Sequence, residues 1–230
     1  MTRGGQATLY GIPGSHAART GKLMVEHKGI RFRRVDLVPG FHRVHVRLHG
    51  FPGDRVPAVH FADGRRGQGT RPLAQVLDEV RPEPRLVPDD PRVEEAERWG
   101  DKVLQRWARR MAAATGARDL DLLHDRGNSG RLGPLLARSE LPRQMICRLV
   151  LRAFRVTPDQ LRDDPRRVGE LLDRVDAWIE GGVLNGEQLN CADFQIATSL
   201  ALADCRLDMR PQMEGRPLYG LVERVLPLKR

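Results

Sequence analysis

The chain has 230 residues, enough to bury a sizeable core as one large or two small domains. Its net charge of +9 is uneven: residues 1–86 hold 15 basic against 7 acidic residues, and the remainder holds 24 against 23. With only 5% aromatics and no basic run or recognition motif, this excess does not point to nucleic acid, and a small anionic ligand suits it equally well. No apolar run reaches the roughly eighteen residues of a membrane helix, and the opening residues lack a signal peptide's apolar stretch, so a cytoplasmic protein without membrane contact is expected.

In chain order, residues 8–12 read as a short strand, Pro13-Gly14 as a turn, and Ser15 as the cap of a helix that Gly29 ends. Ala17, Gly21, Met24, Val25 and Lys28 recur at helical spacing along it. Residues 30–37 form a second strand, completing a βαβ unit. A loop region follows, then residues 56–62 and 65–68 flank Asp63-Gly64, a hairpin signal. Pro57 allows two readings: a trans proline opening an edge strand, or a cis Val56-Pro57 bond that turns the Val56 backbone outward to pair with an extended ligand. Thr70 then caps a helix with Leu73, Val76, Leu77 and Val80 on one face.

Four prolines in residues 81–91 forbid regular structure there and mark a linker, which divides the chain into 1–81, 82–91 and 92–230. Beyond it every period is helical. Ala96, Trp99, Val103, Trp107 and Met111 predict one long helix from about Arg92, with further helices at 141–154, 168–179, 190–203 and 218–225 and a loop at 127–130. Asn190 and Asp193 stand as N-cap and N3 of a capping box. The tryptophans Trp99, Trp107 and Trp178 lie on apolar faces and read as packing. Cys147, Cys191 and Cys205 are odd in number and far apart, which fits reduced, buried thiols in a reducing compartment. His42, His45 and His49 would share a helix face, but no cysteine or carboxylate completes a metal set, and no metal is expected.

Three segments together resemble the cytosolic glutathione S-transferase family. They are Leu9-Tyr10-Gly11-Ile12-Pro13-Gly14-Ser15 running on to Glu26-His27-Lys28-Gly29-Ile30; Val56-Pro57-Ala58-Val59 with Gly69-Thr70-Arg71-Pro72-Leu73; and Gly181-Gly182-Val183 with Asn190-Cys191-Ala192-Asp193-Phe194. The resemblance implies a thioredoxin-like α/β N-terminal domain (βαβ-ββα) that binds a thiol, followed by an all-α C-terminal domain, and it favours the cis form of Val56-Pro57. It also implies a transferase that joins glutathione or a related low-molecular-weight thiol to an apolar electrophile, a detoxification chemistry, in a homodimer. A noncatalytic binding or scaffold protein, or an isomerase or dehalogenase, on the same fold are its alternatives.

For this chemistry the thiol must ionise, and a hydroxyl donating to sulfur at a helix N-terminus favours the anion. By resemblance Ser15 supplies that hydroxyl, with Tyr10 as the alternative; a plain N-cap is the reading of Ser15 without chemistry. His16 adjoins Ser15 and is open between ligand and solvent. The cosubstrate's backbone would pair with Val56 beside Pro57, and Thr70 with the amides of its helix would take a carboxylate. Gly69 departs from the family pattern, since a glutamate usually stands there for the γ-glutamyl ammonium. Gln68 is a weak substitute, Arg71 either binds an anion or lies on the surface, and Asp101 either serves a neighbouring subunit's site or is a solvated charge.

Overall fold

The computed structural model describes residues 7–118, 140–204, 206 and 208–226; the loop expected at 127–130 and Cys205 lie outside these. A single four-stranded sheet is built from β1 (Ala7–Gly11), β2 (Phe32–Asp36), β3 (Ala58–Phe61) and β4 (Arg66–Gln68), with β1 and β3 the most buried. The order is β2-β1-β3-β4, with β2 parallel to β1 and the other neighbours antiparallel. Helix α1 (His16–His27) makes the parallel crossover and α3 (Thr70–Val80) follows the β3-β4 hairpin, as the sequence predicts. Pro57 is preceded by a cis bond, and so is Pro84.

Two local expectations are corrected. The segment between β2 and β3 is not all loop: it holds α2 (His42–Leu48), anchored by Val46, which is buried in a small cluster with Tyr10, Leu37, Phe51 and Ala58. One buried anchor among histidines and arginines leaves no apolar periodicity to read. At α3 the cap is Gly69, not Thr70, and no side chain caps the helix.

Beyond α3 the described chain is helical: α4 (Pro91–Trp99), a π-helical turn (Gly100–Leu104), α5 (Gln105–Arg118), α6 (Glu140–Ala153), α7 (Pro158–Asp163), α8 (Val168–Glu180), α9 (Cys191–Ala203), α10 (Arg210–Met213) and α11 (Pro217–Val225). The predicted long helix is thus interrupted by a π turn, a distortion that side-chain periodicity does not report. Trp107 is buried and donates its indole N–H to the Asp164 carbonyl at 3.0 Å. Trp99 and Trp178 pack edge to face at 5.0 Å, with the Arg174 guanidinium over both rings.

One apolar core runs through the sheet, α1, α3 and the helices beyond, from Leu9 and Val59 through Leu86 to Ile196 and Leu221. Lys28 locks the proline-rich segment onto it. Its fully buried ammonium meets Asp78 at 2.6 Å and donates to the carbonyls of Arg81, Pro82 and Pro84. Asp78 in turn accepts the amides of Leu86 and Val87, each at 2.9 Å. A charge removed from water survives only when paired and hydrogen-bonded in this way. Helix α9 is buried along most of its length and meets α1 through the Thr20 and Thr198 hydroxyls, 2.6 Å apart. Its predicted capping box is present: Asn190 accepts from Ala192 and Asp193, and Asp193 accepts the amides of Asn190 and Asn185. Burial holds the Asp193 carboxyl up at about 6.

Candidate functional site

Strand register gathers the candidate residues at one end of the sheet. Tyr10 pairs with Ala58 and Ala58 with Gln68, so the chain beyond Gly11, before Ala58 and after Gln68 converges on that edge. There lie Ser15, Val56-Pro57 and Gly69-Thr70. The Gly69 amide donates to the Pro57 carbonyl at 2.8 Å, fixing the last two segments together. The Pro57 ring packs on α1 at Gly21, where a Cβ would fall 2.6 Å from the Pro57 Cβ. Only glycine permits that approach.

Ser15 is the N-cap of α1, its hydroxyl oxygen accepting the Ala18 amide at 3.4 Å. Capping uses a lone pair and leaves the hydroxyl proton free to be donated, so the cap and the thiolate-stabilising role do not exclude one another. Tyr10 is buried, packed among His45, His49 and Phe51, and burial raises its pKa. Tyr10 thus belongs to a packed cluster with Leu37, Val46, Phe51 and Ala58, while Ser15 stands at the helix N-terminus. Val56 lies before the first residue of β3, and neither its amide nor its carbonyl is hydrogen-bonded among the described residues. An unpaired backbone edge of this kind can accept one more extended strand.

Gly69 has φ +86 and ψ 173, a region essentially reserved for glycine, and open space surrounds the place of its missing Cβ. The first turn of α3 therefore offers uncapped amides to an anion. Gln68 is not available in place of the missing carboxylate: its side chain accepts from the Gly53 amide and donates to the Arg55 carbonyl. Arg71 is committed too, paired with Glu97 at 3.4 Å and Glu94 at 3.5 Å. Glu97 is 7% exposed, and burial raises its pKa against the opposing pull of Arg71. Its position one residue after buried Ala96 was the only sequence hint of this contact.

His16 is not at the solvent surface. It is 8% exposed, its Nε2 has no hydrogen-bond partner among the described residues, and burial together with the charge of Arg109 lowers its pKa to about 3. Arg109, on α5, was not singled out by the sequence, because nothing in one of several helical arginines announces an electrostatic influence on His16. Asp101 lies in the π turn, and it forms no ion pair among the described residues. Cys191 is buried with its thiol pushed up to about 12, and Cys147 is partly buried. His45 and His49 stack with ring centres 4.6 Å apart, while His42 accepts the Gly40 amide; no metal-holding cluster occurs among the described residues.

No protein-family model and no curated protein matches the sequence. Solved structures do match. A glutathione S-transferase from Xanthobacter autotrophicus Py2 is 18% identical, with a TM-score of 0.60 over 97% of this chain and 94% of that one. A glutathione S-transferase of Ceriporiopsis subvermispora, in complex with glutathione, is 12% identical with a TM-score of 0.66 over 95% and 96%. One from Rhodospirillum rubrum F11 is 20% identical with a TM-score of 0.58 over 96% and 92%. Strand order, the cis bond before Pro57, the capping box of α9 and these alignments over nearly the whole chain agree on one conclusion: the protein has the glutathione S-transferase fold.

Proposed function

We propose that the protein binds glutathione or a related low-molecular-weight thiol at the sheet end formed by Ser15, Val56-Pro57 and Gly69-Thr70, and joins it to an apolar electrophile. The observation that carries this reading is the free backbone of Val56, set beside the uncapped start of α3. The thiol's backbone pairs with Val56, its carboxylate takes the amides of Thr70 and Arg71, and the Ser15 hydroxyl donates to sulfur. The thiol proton passes to solvent on binding. The thiolate then supplies the electron pair of a new carbon–sulfur bond, and the leaving group departs with the pair of the bond that breaks. As in the resemblance, the working unit is a cytoplasmic homodimer.

The test is calorimetry with glutathione and other cellular thiols, followed by conjugation of 1-chloro-2,4-dinitrobenzene. Binding with turnover is expected, and no thiol binding at millimolar concentration would reject the site. Ser15→Ala should raise the bound thiol's pKa by about 1–2 units, the size of one charge-assisted hydrogen bond, read from the ultraviolet absorbance of the thiolate. An unchanged pKa with full turnover would remove Ser15 from the chemistry. The absence of a carboxylate at Gly69 favours a second reading, a noncatalytic binding protein; thiol binding without turnover of any electrophile would select it.

A further inference from the structure

The electrophile's own charge is the next question, and α5 bears on it. Arg109 is half-buried, yet it makes no hydrogen bond and no ion pair among the described residues. Its guanidinium carbon lies over the Phe154 ring, 4.3 Å from the centroid, a cation–π contact that uses none of its N–H donors. The same charge reaches His16, the residue after Ser15, whose buried Nε2 is also unpartnered. Asp101 biases Arg109 from the π turn without pairing with it. A guanidinium partly withdrawn from water and left without an acceptor is costly in the free protein, and a ligand anion recovers that cost.

We infer that Arg109, its guanidinium over the Phe154 ring, binds a carboxylate or similar planar anion on the second substrate. The inference rests on the proposed transferase reading for the word substrate, and it narrows that substrate to an apolar, aromatic-sized electrophile that carries an anionic group. Phe154, 53% exposed, offers the apolar surface against which such a molecule lies. His16 stays neutral in the fold and so adds no second positive charge.

The experiment uses the full chain without any thiol, so that it stands apart from the thiol reading. Titrations by calorimetry compare 4-nitrobenzoate with its methyl ester, the same ring without the charge. Wild type should bind the acid at least about tenfold more tightly than the ester, the scale of a charge-assisted hydrogen bond. Arg109→Gln should abolish that preference and leave ester binding unchanged, and Arg109→Lys should restore only part of it because the fork is lost. Should the glutamine variant fail to fold by circular dichroism, the lysine variant and the wild-type comparison still decide. Equal binding of acid and ester by wild type, or a preference that survives Arg109→Gln, overturns the inference. A glutathione titration of the same samples reports separately on the thiol site.

Discussion

Gly69→Glu puts the carboxylate that the thiol site lacks onto a backbone chosen for glycine, and the two consequences can be sized separately. At φ +86 and ψ 173 any side chain is strained, at roughly 1–3 kcal/mol, while the empty space around the Cβ position adds no clash. A domain of ordinary stability, about 5–15 kcal/mol, survives this. In return the new carboxylate faces the ammonium of a docked γ-glutamyl group. Complete shielding would give about 1.5–3 kcal/mol and open solvent about 0–1, so a partly exposed edge should gain close to tenfold in affinity. The assay is calorimetry with glutathione and with an analogue whose γ-glutamyl amine is replaced by hydrogen, using Gly69→Ala to isolate the backbone strain. Glutathione alone should bind more tightly to Gly69→Glu. An equal gain for the analogue, or no gain in a folded variant whose Gly69→Ala counterpart binds normally, would refute the proposed placement of the tripeptide.

Three further outcomes follow from buried groups. Lys28→Met leaves Asp78 without its cation and three carbonyls without a donor, so urea unfolding should show a loss of about 3 kcal/mol or more; a loss under about 1 would contradict the locking role. His16 is neutral in the fold down to about pH 3, whereas the unfolded chain takes up that proton near 6.5, so its contribution is lost as pH falls through this window. Asp193 acts with opposite sign, its folded carboxyl protonating near 6 before the unfolded one at 3.8, so His16→Gln should flatten or reverse the fall in urea midpoint between pH 6 and 4. Cys191, with its thiol near 12, should resist thiol-labelling reagents under native conditions and react once urea unfolds the chain; prompt native labelling would contradict its burial.

What the sequence disclosed and what it hid divide along a physical line. The β1-α1-β2 unit, the Asp63-Gly64 hairpin, the Asn190-Asp193 box and the proline-rich break in regular structure are local, each written by turn chemistry, capping or periodicity in a short stretch of chain, and each is present. Helix α2 was missed because a single buried valine anchors it, and the π turn because such a distortion leaves the apolar period intact. At the site the same division holds. The Ser15 cap, the Val56-Pro57 turn and the Gly69 conformation are set by local backbone geometry, which local sequence encodes. Arg71, Gln68 and His16 take their settings from residues elsewhere in the chain, and their side chains were ambiguous until those were placed, while Arg109 carries no local signal at all. Charge shows the consequence most clearly. Arg71, on the first turn of α3, is neutralised by Glu94 and Glu97, whereas Arg109, unremarkable in sequence, forms no ion pair among the described residues. A positive charge at α3 would have competed with the ammonium of a γ-glutamyl thiol, and one at α5 would not. In the proposed complex the two acidic residues of α4 permit an ammonium beside Gly69, and the role inferred for Arg109 calls for an anion on the helical side.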